Sequence, residues 1–233
     1  MITNMKNKIL SIVASVLAVG AAVSCSETTG LTEVTYYPII ELAGSSTVVI
    51  GVGEDYVEPG YYASLNAEDI TSQVKVVTDL DNSEIGLYSV VYSAQNELGF
   101  SATASREVIV VNEGSFSTVY SGDVQWGTRH YVGAPILITD NGDGTYEIDD
   151  VLAGYYFYGR YNGYEPTYDF HAEATLKLNA DNTIEKVGTV GSWYFGDDVT
   201  DLAGILDPAT GVISYTAMFA GAPVTVVLTP ITK

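Results

Sequence analysis

Residues 172–179 read Ala172-Glu173-Ala174-Thr175-Leu176-Lys177-Leu178-Asn179, with an apolar side chain at every second position. Successive side chains on a strand point to opposite faces, so this stretch predicts a strand with one face buried. Leu87–Ser93 repeats the pattern: Tyr88, Val90 and Tyr92 share one face, Ser89 and Ser93 the other. Around these two stretches, short β-branched and aromatic runs recur roughly every 8–12 residues, bounded by Gly, Asn, Asp and Pro. No window shows sustained helical periodicity with caps. The chain is expected to be all-β.

In the first half the pattern predicts strands near Ile39–Leu42, Thr47–Ile50, Tyr61–Leu65, Val74–Thr78, Leu87–Ser93 and Ala102–Val111. Pro59-Gly60 supplies the middle of a type II turn. Val34–Asn112 therefore suits an immunoglobulin-like sandwich, without the Cys pair and core Trp of antibody domains. Glu113-Gly114-Ser115 marks the boundary, placed within about two residues of Gly114. Beyond it, strands are expected at Phe116–Tyr120, Pro135–Thr139, Thr145–Ile148, Tyr155–Tyr158, Ala172–Leu178, Ile184–Val187, Ser192–Phe195, Val212–Phe219 and Val224–Leu228. Asp140-Asn141-Gly142-Asp143-Gly144 and Asp207-Pro208-Ala209-Thr210-Gly211 carry hairpin chemistry. Sequential hairpins over 113–233 predict an antiparallel barrel or a two-sheet sandwich, and the sequence leaves both open.

The motifs of the first half are those of a known family. Gly53-x-x-Tyr56-x-x-Pro59-Gly60-Tyr61-x-Ala63, Ile70-Thr71-x-x-Val74, Gly86-x-Tyr88-x-Val90-x-Tyr92-x-Ala94 and Arg106-x-Val108-x-Val110 resemble the bacterial surface immunoglobulin-like domain. Such domains end in Tyr-x-Ala-x-Asp-x-x-Gly-Asn. Asn96 and Phe100 stand here in place of the Asp and the last Asn, so the resemblance carries no cation role to them. It implies a spacer or presentation module without catalytic residues.

Residues 1–24 read as an export signal. Lys6 and Lys8 form a positive segment, and Ile9–Val23 is uncharged but short of the roughly 20 residues a spanning helix needs. Ala22-Val23-Ser24-Cys25 resembles a bacterial lipobox with Ala22 at the usual Leu position, which implies acylation of Cys25. Ordinary secretory cleavage would leave the chain's only Cys as an unpaired exported thiol. Residues 25–33 then form a polar tether, 34–112 the immunoglobulin-like domain and 113–233 a C-terminal β domain. Behind a lipid anchor, this pairing resembles Bacteroidetes-type outer-membrane surface lipoproteins of glycan-utilisation systems.

Charge narrows the partners. The 233 residues carry 9 basic and 29 acidic side chains, a net −20. Past residue 24, 7 basic residues face 29 acidic ones, a net −22. Such a chain has no footprint for nucleic acid, since it would release few phosphate counterions. One Cys excludes a disulfide framework and multi-cysteine metal sites. No Gly-x-Ser-x-Gly elbow is present, and only His130, in an expected loop, and His171, at a strand entry, could act as imidazole bases. Neighbouring carboxylates at Glu54-Asp55, Asp149-Asp150 and Asp197-Asp198 would point to opposite faces of a strand, and read as solvated surface. An EF-type calcium loop at Asp140 fails at Gly142 and Gly144, and the acidic stretch Gly196–Asp201 reads as a solvated loop. No cofactor, metal or catalytic residue is assigned.

The unusual stretch is aromatic. Eight of the 16 residues from Tyr155 to Phe170 are Tyr or Phe, with Arg160, Asn162 and Glu165 among them. Two explanations stand: tyrosines filling a barrel, or a platform on which sugar rings stack. Tyr161 and Tyr164 lie beside Gly163 and Pro166 in an expected turn, where a core role is less natural. With Arg160, and with Trp193 from a neighbouring strand, they form the expected ligand site for a polysaccharide or oligosaccharide. The expected protein is a non-enzymatic surface lipoprotein, anchored in the outer membrane through lipid, that binds glycan. The alternative is an assembly lipoprotein whose aromatics dock an outer-membrane protein partner.

Overall fold

The computed structural model describes residues 34–162, 168–189 and 193–233. Cys25 and Tyr164 lie outside the described residues. Strands account for almost all regular structure, and they divide between two compact units. Of the described residues, the first holds 34–48, Asp55–Asp81 and Leu87–Val108; the second holds Val49–Glu54, Asn82–Gly86 and the described part of Ile109–Lys233.

The immunoglobulin-like fold contains β1 (Ile39–Leu42), β2 (Thr47–Gly51), β3 (Tyr61–Leu65), β4 (Glu68–Asp69), β5 (Lys75–Thr78), β6 (Gly86–Gln95) and β7 (Ser101–Val111). Two antiparallel sheets run β1-β3-β4 and β2-β7-β6-β5. Along β6 the alternation holds: Gly86, Tyr88, Val90, Tyr92 and Ala94 are buried, and the residues between them are not. The two-residue β4 and a 3-10 turn at Thr71–Gln73 are additions that no sequence pattern announced. Arg106 is fully buried, donating to the carbonyls of Ser45, Ala43 and Gly60 and to Glu58. Glu58 also accepts from the phenols of Tyr56 and Tyr92. Asn96 is spent on its own turn, accepting from the N–H groups of Leu98 and Phe100 and donating to the Tyr36 carbonyl.

The C-terminal domain is a closed barrel rather than a sandwich. It contains β8 (Val119–Trp126), β9 (Arg129–Asp140), β10 (Tyr146–Ile148), β11 (Ala174–Leu178), β12 (Thr183–Thr189), β13 (Val199–Leu206), β14 (Ile213–Phe219) and β15 (Ala222–Pro230). Each strand pairs antiparallel with the next in sequence, and β15 closes on β8 from Thr225↔Gln125 to Pro230↔Tyr120. Closure removes both exposed edges of an open sheet. Register shifts at Gly122/Asp123, Thr175/Leu176 and Val199/Asp201 are bulges that help the sheet curl. The interior is filled by alternate residues, among them Ile213, Tyr215, Ala217 and Phe219 on β14 and Val224, Val226 and Leu228 on β15.

Three expectations are corrected. Tyr155–Tyr158 is not a strand: Tyr155–Arg160 forms a turn of π-helix, with Gly159 and Tyr161 N–H groups donating to the carbonyls five residues back. Trp193–Phe195 form no strand either, but lie in an irregular segment that turns at Tyr194-Phe195. Conversely, β13 was hidden, because Asp201 and Gly204 break its alternation and a bulge shifts its faces. Thr200 and Asp201 of the supposed acidic loop belong to this strand.

Candidate functional site

All eight barrel strands put one set of ends together: the close of β8, β10, β12 and β14 and the start of β9, β11, β13 and β15. At this mouth β8 and β9 turn through Gly127-Thr128, so Trp126 and Arg129 pair directly. The first part of the connection from β10 to β11, residues 149–162, lies at the same mouth and plugs it. Val151, Leu152, Ala153 and Tyr155 are all buried there.

Asp150 holds the plug, which overturns the solvated reading of Asp149-Asp150 for Asp150; Asp149 remains partly exposed. Asp150 is fully buried just past the end of β10 at Ile148, and its carboxylate takes up backbone N–H groups there. Its Oδ1 accepts from the N–H groups of Leu152 (2.9 Å) and Ala172 (3.1 Å), and Oδ2 from Gly154 (2.8 Å). Asp149 accepts the Leu137 N–H at 3.0 Å. Burial pushes the Asp150 pKa up, opposed by His171 and by the three N–H donors. From across the barrel, the Tyr215 hydroxyl donates to the Val151 carbonyl at 2.7 Å, and burial raises that phenol's pKa well above its ordinary value.

Two glycines let the π-helical turn pack closely on β9. Gly154 has φ +78°, and a Cβ there would sit 2.2 Å from that of Ala134. A Cβ on Gly159 would meet the Tyr131 ring at 2.6 Å. The aromatics so laid down form a continuous layer. Tyr156 stacks on Tyr161 (5.6 Å between ring centroids, 17° between planes) and meets Trp193 at 4.5 Å. Trp126 packs on Tyr155 at 5.0 Å and edge-on to Phe219 at 5.7 Å. Burial, helped by Tyr155, pushes the Tyr156 pKa up to about 12.

Above this layer is a cavity of about 390 Å³, lined by Trp126, Gly127, Thr128, Arg129, Tyr155, Tyr156, Arg160 and Tyr161. Gly127, Thr128, Arg129 and Arg160 are exposed, so the polar groups form the rim and the aromatics the floor. Arg129 Nη1 lies 3.4 Å from the Tyr155 hydroxyl, and Arg160 Cζ 5.9 Å from the centre of the Tyr161 ring. Among the described residues that line it there is no carboxylate, histidine, serine or cysteine. Such a surface can stack rings and donate hydrogen bonds, but holds no nucleophile paired with a base.

The expected site residues divide. Arg160 and Tyr161 line this cavity together. Trp193 lies one layer behind, buried, with its indole N–H given to the Phe170 carbonyl at 2.9 Å. It supports Tyr156 and is not part of the lining. Trp126, Thr128 and Arg129 were missed as a set; an aromatic and an Arg flanking a Gly turn, Trp126-Gly127-Thr128-Arg129, was the available signal. His130 is the second residue of β9 rather than a loop residue, and pairs with Asp123 at 2.7 Å on the exposed surface. His171 is half-buried before β11, against Asp169 at 2.7 Å and the Phe157 ring.

A second aromatic surface adjoins the layer. Tyr194 and Phe195 are 48% and 60% exposed, and they pack around Phe170 with Tyr168.

Comparison with known proteins bears on the whole arrangement. The bacterial surface protein Ig-like domain family matches residues 40–110, and a family defined by a C-terminal domain matches residues 78–230. The crystal structure of the lipoprotein BT2262 from Bacteroides thetaiotaomicron is 31% identical in sequence, with a TM-score of 0.61. The match covers 84% of this chain and 100% of that one. The chain belongs to the family of this lipoprotein. In this member of the lipoprotein family, one chain carries both a bacterial surface immunoglobulin-like domain and an antiparallel barrel. The second carbohydrate-binding module (CBM51-2) with INT domains of Clostridium perfringens ZmpB, solved with GlcNAc, gives 20% identity and a TM-score of 0.28. That match covers 48% of this chain and 28% of the other, a likeness too slight to bear on fold or ligand. None of the curated proteins is significantly similar.

Proposed function

We propose that this chain is a non-catalytic lipoprotein, acylated at Cys25 and held on the outer-membrane surface, whose barrel mouth binds a saccharide. The immunoglobulin-like domain serves as its spacer. One observation carries the binding reading: the cavity floored by Trp126, Tyr155, Tyr156 and Tyr161 under a rim of Thr128, Arg129 and Arg160. Sugar rings offer apolar C–H faces to aromatic planes and hydroxyls to guanidinium groups. Stacking one ring gains roughly 25 cal/mol per Å² of apolar area, and after the cost of association the expected Kd is about 10 μM to 1 mM. Many copies on one surface would raise the effective affinity.

The test is calorimetric titration of polysaccharides into the full chain in detergent, beside Trp126→Ala and Tyr161→Ala. Saturable binding that either substitution abolishes supports the reading. Equal binding by correctly folded variants would remove the site from the mouth. Intact mass of the membrane fraction tests the anchor: a free thiol at Cys25 would refute it.

A second reading rests on the exposed Tyr194 and Phe195, which suit a flat protein contact better than a sugar. Tyr194→Ser, Phe195→Ser, with saccharide binding intact and capture of an outer-membrane protein lost, would favour it.

A further inference from the structure

We propose that the barrel mouth selects an anionic saccharide, one whose acid group is held between Arg129 and Arg160. This rests on the saccharide reading above and narrows its ligand. The chain has three arginines, Arg106, Arg129 and Arg160. Arg106 is buried in the immunoglobulin-like fold, against Glu58 and three carbonyls. The other two both line the one cavity. In a chain of net −20, both exposed guanidinium groups therefore face the same small space.

Their partners are weak ones. Arg129 reaches a phenol at 3.4 Å, and Arg160 lies beside an aromatic ring. Arg106–Glu58, His130–Asp123, His171–Asp169 and Lys233–Glu54 are ion-paired, and neither rim arginine belongs to these pairs. At the floor between them, Tyr156 feels the opposed charges of Asp197 and Arg160. The lining thus carries two guanidinium groups and, among the described residues, no carboxylate.

A planar guanidinium matches a carboxylate or sulfate with two parallel hydrogen bonds, and such charge-assisted bonds are about twice as strong as neutral ones. A neutral sugar laid over the floor would strip water from both groups and return only hydroxyl acceptors. The acid therefore gains where the neutral sugar loses. Size limits the ligand as well: about 390 Å³ is at the low end for small-ligand sites. It suits a terminal or single acidic sugar unit rather than a long stretch of chain.

Carboxylated and sulfated sugars share this chemistry, and the experiment separates them. The full chain is applied in about 150 mM salt to an array of matched glycans. Hexuronic and sialic acids are printed beside their methyl esters, and sulfated sugars beside the unsulfated parents. The best pair is then titrated by calorimetry into the wild type and into Arg129→Gln, Arg160→Gln. The acid member is expected to bind at least tenfold tighter than its neutral partner. The double variant is expected to lose that preference at an unchanged melting temperature. Preference for carboxylated or for sulfated glycans identifies the source of the anion. If the neutral members bind as well as the acids, or the preference survives in the double variant, the inference is overturned while the saccharide reading stands. If no glycan on the array binds, that reading fails too.

Discussion

At one end of the barrel, β9–β10, β11–β12 and β13–β14 are joined by short hairpins that satisfy their own backbone. Asn141-Gly142-Asp143-Gly144-Thr145 and Asn179-Ala180-Asp181-Asn182-Thr183 are the same loop built twice. In each, the Asp Oδ1 accepts from the Thr N–H (3.0 and 3.1 Å) and Thr hydroxyl (2.6 Å in both), and the Asn N–H donates to the Thr carbonyl. Asp207 does similar work for Ala209 and Thr210. At the mouth, by contrast, the bonds span the chain: Asp150 to Ala172, Tyr215 to Val151, Trp193 to Phe170. Local closure leaves small polar loops with nothing to offer a ring. Non-local closure stacks aromatics across the opening and leaves some of their faces partly exposed. The end that is harder to fold is the one suited to binding.

Asp150→Ala should have the largest effect, since it orphans three buried N–H groups at once. We expect a loss of about 3 kcal/mol or more, a fall in Tm of about 10 °C, on thermal unfolding. A Tm within a degree or two of wild type would mean the plug does not hold the mouth.

Next comes Gly159→Ala, which drives a methyl into the Tyr131 ring. Overpacking of this kind costs about 1–3 kcal/mol. Because it tilts the turn that carries Arg160 and Tyr161, glycan affinity should fall as well. Unchanged affinity with lowered Tm would separate the cavity from the turn.

Asp143→Ala and Asp181→Ala should be milder. Each loosens one exposed hairpin, lowers Tm by less than the Gly159 change, and leaves glycan titrations unaltered. A binding defect in either would join the two ends functionally.

The smallest expected effect is a difference in titration. Hydrogen bonds from Thr145, Thr183 and Ala209 hold Asp143, Asp181 and Asp207 below the ordinary carboxylate range. Their contribution is present above about pH 4, near the unfolded Asp value, and is lost as pH falls through their lower folded values. Asp150 has the opposite sign: burial raises its pKa, so the mouth loses stability as pH rises from the unfolded value through the raised folded one. Carboxyl carbon NMR shifts should show Asp150 taking its proton at higher pH than the three hairpin acids. The reverse order would show that the three N–H donors outweigh burial.

Much of this molecule follows from local pattern. Period-two alternation located β6 and β11, short β-branched and aromatic runs located β14, and Asp-Asn-Gly chemistry located the β9–β10 turn, because strand faces and tight turns depend on residues within reach of one another. The aromatic run Tyr155–Phe170 was legible as the place to look. Its conformation was not, because a strand and a π-helical turn offer the same tyrosines, and Gly154 and Gly159 choose between them through contacts with Ala134 and Tyr131, at least 20 residues away. Asp150 looked like half of a solvated pair for the same reason: its three donors come partly from the far end of the plug. Local sequence was thus enough for the all-β class, most of the strands, the acidic charge and the place of the aromatics. Barrel closure, the burial of Asp150 and Trp193, and the meeting of Trp126 and Arg129 with Arg160 and Tyr161 were decided only by tertiary structure. Those depend on bringing distant segments together, and no short-range pattern records which distant partner a side chain will meet.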